Sequence, residues 1–373
     1  MRAVSDDAVE RSSPRRRSVG VGWLLLAAGV ISAVVLSALP APYAIERPGP
    51  VFDTLGAAPT SDGGRQRLIT VTDARTYPTS GALDLLTVNL VGSREDPVTW
   101  SGVAAAWFDP SQAIVPIDLI YPDGLTQRES DRQGAAEMTT SKQEAVAAAL
   151  RQLGYTVTGT VVVAQVLKDS PAAGRLRTGD RILSADGTAL QDATALRSFI
   201  ADSGTATPIA FGILRGGAEQ TVTVTPRSGD DGTGRKVPLI GIVPGARYDY
   251  PVEVKIRLDD VGGPSAGMMF ALGIIDTLTP GKLTGGQRIA GTGEIDAAGR
   301  VGAIGGIRQK MYGARRAGAD WFLAPASNCG EVAGRIPDGL RVFSVSTLTQ
   351  AVAAVTAIGS GTGLDQLPTC TQK

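Results

Sequence analysis

Histidine is absent from this 373-residue chain, and cysteine occurs only twice. The first absence excludes a Ser-His-Asp triad, a Cys-His pair, a histidine general base and histidine-ligated metals. The second excludes a zinc site built from four cysteines. If the chain is an enzyme, its proton acceptor is a carboxylate, a lysine or a tyrosine; we expect neither a metal nor a cofactor. A surplus of either charge is also missing, with 36 basic against 36 acidic side chains. That gives no support to nucleic-acid binding, which usually brings a basic excess. Hydrophobic residues make up 43%, too few for a protein that crosses a membrane many times. Glycine (47) and proline (22) signal many turns, and the length suggests two or three domains.

Long uncharged runs are absent except for one. Val19 to Leu39 is 21 residues without a charge, preceded by Arg2, Arg11, Arg15, Arg16 and Arg17. About 20 residues of helix span a hydrocarbon core. A cleaved signal peptide has a shorter apolar region and a small-x-small exit, but here the exit is Ser37-Ala-Leu-Pro-Ala-Pro42, crowded by proline. The reading is a retained transmembrane helix over 18–40, with cleavage as the alternative. The arginines place residues 1–17 in the cytoplasm and residues 41–373 outside. Two cysteines in an exported chain, Cys329 and Cys370, are expected to form a disulfide that clips the tail to the last domain.

Residues 41–154 read as a β-rich segment followed by a helix. Leu68-Ile-Thr-Val-Thr72 and Asp84-Leu-Leu-Thr-Val-Asn-Leu-Val91 are β-prone runs; residues 127–137 are polar and read as a loop. Ser141-Lys-Gln-Glu144 has the form of a capping box, Ala145 to Leu153 carry an apolar face, and Gly154 is a stop. Residues 155–227 form a separate unit. The segments Asp169-Ser-Pro-Ala-Ala173, Arg177-Thr-Gly-Asp-Arg-Ile-Leu183 and Ala185-Asp-Gly-Thr188, with a helix near 193–201 and two further strands, resemble a bacterial PDZ domain. The resemblance implies a small β-barrel-like sheet with helices that accepts a peptide as an added strand, its carboxylate held by backbone N–H groups. By position that loop maps to Thr158, Gly159, Thr160 and Val161, although these depart from the usual Gly-Leu-Gly-Phe form. Residues 228–247 read as a linker, flexible by composition at 228–236.

From Val252 the sequence gives a strand, the loop Asp259-Asp-Val-Gly-Gly-Pro-Ser-Ala-Gly267, and an apolar helix to Ile275. Ser265 stands at a helix start, where free N–H groups and the helix dipole favour negative charge. Alone, this motif also fits a plain N-cap serine or a phosphate-cradling loop of the small-molecule kinase type. A P-loop is missing, since Gly281-Lys282 is followed by Leu283.

Downstream stand Gly291-Thr-Gly-Glu294, Gly299-Arg-Val-Gly-Ala-Ile-Gly-Gly-Ile307 and Lys310. Together with Gly263-Pro-Ser-Ala-Gly267 they resemble the proteolytic domain of Lon proteases over residues 248–357. The resemblance implies Ser265 as nucleophile, Lys310 as base and Thr292 as a residue supporting the lysine. A Ser-Lys dyad needs no histidine. Asp259, Asp260 and Glu294 are the carboxylates left to consider if the lysine is not the base. Gly81 to Leu90 and the helix before Gly154 look similar to the pieces that precede the nucleophile in Lon, so the PDZ unit is expected to be inserted into the protease fold. Residues 358–373 read as a C-terminal tail.

The expected fold class is α+β: one transmembrane helix, a PDZ domain and a Lon-type proteolytic domain. The whole layout resembles the YlbL-like membrane proteases of Gram-positive bacteria. It implies an ATP-independent serine endopeptidase whose partners are peptide or unfolded protein substrates and, through one helix, the lipid bilayer, with no nucleic acid. A hexamer follows only by analogy with Lon rings. The alternative is a catalytically inactive PDZ scaffold.

Overall fold

The computed structural model describes residues 19–59, 64–121, 127–190, 192–230, 236–258 and 261–370. Helix α1 (Val19–Ala38) leads into strands β1 (Tyr43–Asp53), β2 (Ile69–Thr72) and β3 (Ala82–Val91). Helix α2 (Trp100–Trp107), strand β4 (Ala113–Pro116) and helices α3 (Ile117–Ile120) and α4 (Gln127–Gln152) follow. A second unit holds β5 (Thr158–Val166), β6 (Arg181–Ala185), α5 (Ala193–Ser203), β7 (Ile209–Arg215), β8 (Ala218–Val224), β9 (Lys236–Leu239) and β10 (Ile242–Asp249). The chain then returns through β11 (Glu253–Ile256), α6 (Gly267–Leu278), β12 (Arg288–Gly291), β13 (Glu294–Ile295) and β14 (Val301–Gly302). It ends with α7 (Ile307–Arg316), β15 (Trp321–Pro325), β16 (Arg341–Val345) and α8 (Leu348–Ser360).

Strands from both ends of the chain build one six-stranded sheet, in the order β16-β15-β12-β3-β1-β4. β12 runs parallel to β3 and β15, while β1 is antiparallel to β3 and β4. Side chains alternate across this sheet as the pleat requires. Leu83, Leu85, Ile289 and Leu323 face a core shared with α4, α6 and α8, whereas Leu86, Ala290, Phe322 and Ala324 face α7. α6 is buried along its length, which explains its nearly uniform apolar sequence. Elements before and after the 155–249 segment therefore share one hydrophobic core. That segment has its own core, centred on Val161, Ile182, Leu196, Ile209 and Phe211, under a sheet ordered β8-β7-β6-β5-β10.

Two sequence readings are corrected here. Residues 127–137 are the first turns of α4, not a loop, so Ser141 and Glu144 lie inside a helix and form no capping box. The run is polar because that stretch is mostly exposed. Its Gly134 fits the close approach of the loop ahead of α6, where Gly263 N–H donates to the Gly134 carbonyl at 2.9 Å. Residues 228–230 and 236–247 are not a linker either, and 231–235 lie outside the described residues. β9 pairs with the strand Arg227–Asp230, and β10 pairs with β5 along its full length.

Cys329 and Cys370 are joined by a disulfide. Residues 368–370 run beside β16, where Ser344 N–H donates to the Pro368 carbonyl, and cover that edge of the sheet. α1 has 20 uncharged residues, and its described side chains, from residue 22 to 38, are nearly all exposed. These cover 17 positions, and among the described residues no helix is long and apolar enough to cross a membrane. The arginine cluster of residues 1–17 lies outside the described residues, as do Asp259 and Asp260.

Candidate active site

Ser265 sits one residue before the Ala266 cap of α6, on a loop held from three sides. The Ser265 carbonyl accepts from Gly293 N–H at 2.9 Å and from Thr292 Oγ1 at 3.0 Å. Ser141 Oγ of α4 donates to the Pro264 carbonyl at 2.8 Å, and Lys142 Nζ donates to the Leu258 carbonyl at 2.8 Å. Gly267 has no room for a side chain: a Cβ there would meet Ile295 and Ser141 at 2.9 Å. The loop is thus set by backbone contacts that a larger residue would push apart. Among the described residues, the N–H groups of Ser265 and Ala266 have no hydrogen-bond acceptor.

Lys310 reaches the same point from α7. That helix is amphipathic, with Ile307, Met311 and Ala314 packed on the sheet. Lys310 lies on the same stripe, three residues after Ile307, so the pattern carries a lysine into a core position; it is 3% exposed. Its Nζ lies 2.8 Å from Ser265 Oγ and 3.1 Å from Thr292 Oγ1. Burial lowers the Lys310 amine to about 8, against the opposing pull of Glu294 and Glu46. Burial likewise raises the carboxyls of Glu46 and Glu294 above the usual range. The structure therefore brings Ser265, Lys310 and Thr292 together, with Glu294 close enough to act on the lysine electrostatically.

A cavity of about 520 Å³ opens onto the pair, walled by Phe52, Leu86, Val88 and Met138 with Glu46 inside it. Sequence reasoning missed Glu46 and Ser141. They lie more than 100 positions before Ser265, on strand and helix segments whose local pattern carries no chemical signature.

The second site differs from its expected position. Thr158, Gly159, Thr160 and Val161 are not a loop; they are the start of β5 and pair residue by residue with Asp249 to Ala246 of β10. That pairing occupies the backbone a bound carboxylate would need. This unit has a cavity of about 490 Å³ elsewhere, between α5 and the β9–β10 turn, walled by Leu167, Leu196, Ile200 and Leu239. The turn residues Ile240 and Gly241 have N–H groups without an acceptor among the described residues. Gly241 has φ +76°, and a Cβ there would strike Ser170 at 2.1 Å.

Comparison with known proteins accords with both halves. Residues 259–357 match the Lon protease (S16) C-terminal proteolytic domain, and residues 137–225 match the PDZ domain. The chain carries a Lon-type proteolytic domain and a PDZ domain. The first is the kind of domain that carries proteolysis in Lon proteases. Lon protease 1 of Bacillus subtilis is 33% identical over 108 residues, 28% of this chain and 14% of its own. Lon protease of Fusobacterium nucleatum is 44% identical over 79 residues, 21% of this chain and 10% of its own. The matches thus span only a small part of those relatives. Among solved structures, the PDZ domain of an SdrC-like protein from Listeria monocytogenes is 26% identical, covering 22% of this chain and 85% of that one, with a TM-score of 0.21.

Proposed function

We propose that the chain is a membrane-anchored serine endopeptidase that works without ATP through a Ser265–Lys310 dyad. The 2.8 Å contact between Lys310 Nζ and Ser265 Oγ carries this reading. When the lysine is neutral, Oγ–H donates to Nζ, and Ser265 becomes a nucleophile toward a scissile carbonyl. The N–H groups of Ser265 and Ala266, at the start of α6, receive the developing oxyanion. Lys310 then gives the proton to the leaving amine; the neutral lysine next deprotonates a water that attacks the acyl-enzyme and returns that proton to Ser265 Oγ as the ester bond breaks. Thr292 Oγ1 donates to the Ser265 carbonyl and accepts from Lys310, tying base to nucleophile loop.

The α5/β9–β10 groove is the proposed peptide site of the PDZ unit, taking a C-terminal carboxylate on Ile240 and Gly241 and an apolar side chain between Leu167 and Ile200. The proposed substrates are exported peptides, flexible tails or unfolded chains. α1 is the proposed anchor, with the arginine-rich start cytoplasmic and the body outside. A peptide boronate should form an adduct on Ser265 and block hydrolysis of a peptide library at pH 8–9, with no change on adding ATP. Absence of both adduct and hydrolysis would leave the inactive scaffold as the better reading.

A further inference from the structure

Outside α1, the three most exposed large apolar side chains among the described residues are Phe108 (86%), Trp107 (77%) and Leu119 (74%). They are not scattered. Trp107 and Phe108 end α2, and Leu119 lies on α3, eleven residues later. Both helices are tied to the short stretch just beyond α1. Trp100 N–H donates to the Leu39 carbonyl at 3.1 Å, Ala41 N–H to the Val98 carbonyl at 2.7 Å, and Ile117 N–H to the Pro42 carbonyl at 3.2 Å. The Tyr43 ring meets the Trp100 ring edge-on at 5.8 Å. The connection from α1 to the body is therefore a hydrogen-bonded joint, not a tether. α2 carries no charge over its eight residues, Trp-Ser-Gly-Val-Ala-Ala-Ala-Trp.

We propose that the α2–α3 face, through Trp107, Phe108 and Leu119, lies in the headgroup region of the bilayer as a second membrane contact. The proposal rests on the anchoring of α1 argued above. An α1 embedded in lipid brings residues 39–42 to the membrane surface, and the joint places α2 and α3 at that depth. Trp107, with an apolar body and a polar N–H edge, is the type favoured there, and Phe108 and Leu119 add apolar surface beside it. A protein partner or a second copy would need to dock within the headgroup layer, which makes lipid the favoured occupant. The arrangement also sets the height of the active site. β1 starts at this joint and contributes Glu46 to the catalytic cavity, five residues after Ala41, at most ~17 Å along an extended strand. Cleavage is thereby confined to chain segments close to the membrane.

The test uses the full chain in phosphatidylethanolamine/phosphatidylglycerol vesicles with a trace phospholipid carrying a photoreactive group near the headgroup. After illumination, mass spectrometry should find lipid adducts both in α1 and in the peptide containing Trp107 and Phe108. Trp107→Asp with Phe108→Asp should abolish the second set, keep the first, and leave hydrolysis of a short soluble peptide unchanged. Adducts in α1 with none at 100–121 would overturn the second contact and leave the anchor standing. Adducts in neither would overturn the anchor as well. Protection of Trp107 from an aqueous quencher without lipid adducts would assign the face to a protein partner and overturn the proposal.

Discussion

The catalytic cavity and the PDZ groove are built from different materials. The cavity beside Ser265 presents side chains: a lysine in a core position, a serine on a pinned loop, and a threonine bonded to both. The groove presents backbone N–H groups and an apolar wall. The cavity draws on β1, β3, α4, the loop before α6 and α7, so its geometry depends on segments from both ends of the chain. The groove needs one helix and one strand turn over a core of its own. A neutral amine requires extensive desolvation, and that demands convergence from many segments. A carboxylate cradle requires only a free turn.

Removing the nucleophile should give the largest effect. Ser265→Ala should lower hydrolysis of any peptide by at least about 1,000-fold, since a serine nucleophile cannot be bypassed. Circular dichroism and the melting temperature should stay near wild type, because the loop is held by its backbone. Loss of fold in that variant would mean that Oγ is a structural atom.

Lys310→Arg ranks next. Arginine keeps the charge and much of the stem but does not deprotonate at usable pH. Activity should fall about 100-fold or more, the low end for a general base. In the wild type, kcat/KM should rise with pH and level off above about 8, the value to which burial lowers the amine. The sign follows from the base being the deprotonated form. A profile already level through that range would rule out the lysine as base and point to a carboxylate such as Glu294 as the group to test.

Thr292→Val removes the hydroxyl that bonds both Lys310 and the Ser265 carbonyl. A loss of about 10–100-fold in kcat corresponds to about 1–3 kcal/mol for a broken buried hydrogen-bond pair. Thr292→Ser should recover most of it, whereas equal loss in both variants would indicate a packing role for the methyl group.

The smallest effects separate the groove from the cavity. Leu167→Asp, at an exposed position on the groove wall, should weaken binding of a peptide with an apolar C-terminus roughly tenfold by fluorescence anisotropy. Hydrolysis of a short peptide should not change. Thr158→Ala should change neither, because Thr158 belongs to a paired strand. The reverse result would return the peptide site to the start of β5.

Residue type carried most of what could be read of the catalytic site. Ser265, Thr292 and Lys310 stand in a recognisable order, and the missing histidine narrowed the choice of base. The elements around them were less legible. The first turns of α4 are polar because they are exposed, and polarity alone resembles a loop. Glu46 was invisible, since a glutamate in an ordinary β-prone stretch carries no mark of the cavity it will enter. The PDZ groove was misplaced for a related reason. Backbone N–H groups are common to nearly all residues, so a turn that presents them leaves little trace in the sequence, and only the pairing of β5 with β10 shows that Thr158 to Val161 are unavailable.

The sequence by itself determined the chemistry on offer. With no histidine and two cysteines, it left a carboxylate, a lysine or a tyrosine as proton acceptor, and the resemblance to Lon proteases picked out Ser265 and Lys310, 45 positions apart. The tertiary structure alone decided that the lysine is dry. Ile307, Met311 and Ala314 turn one face of α7 onto a sheet whose strands come from both ends of the chain, and Lys310 is carried in with them. Desolvation is a property of everything packed around a group rather than of its neighbours in sequence, so the lysine's lowered pKa is decided only when that sheet has formed.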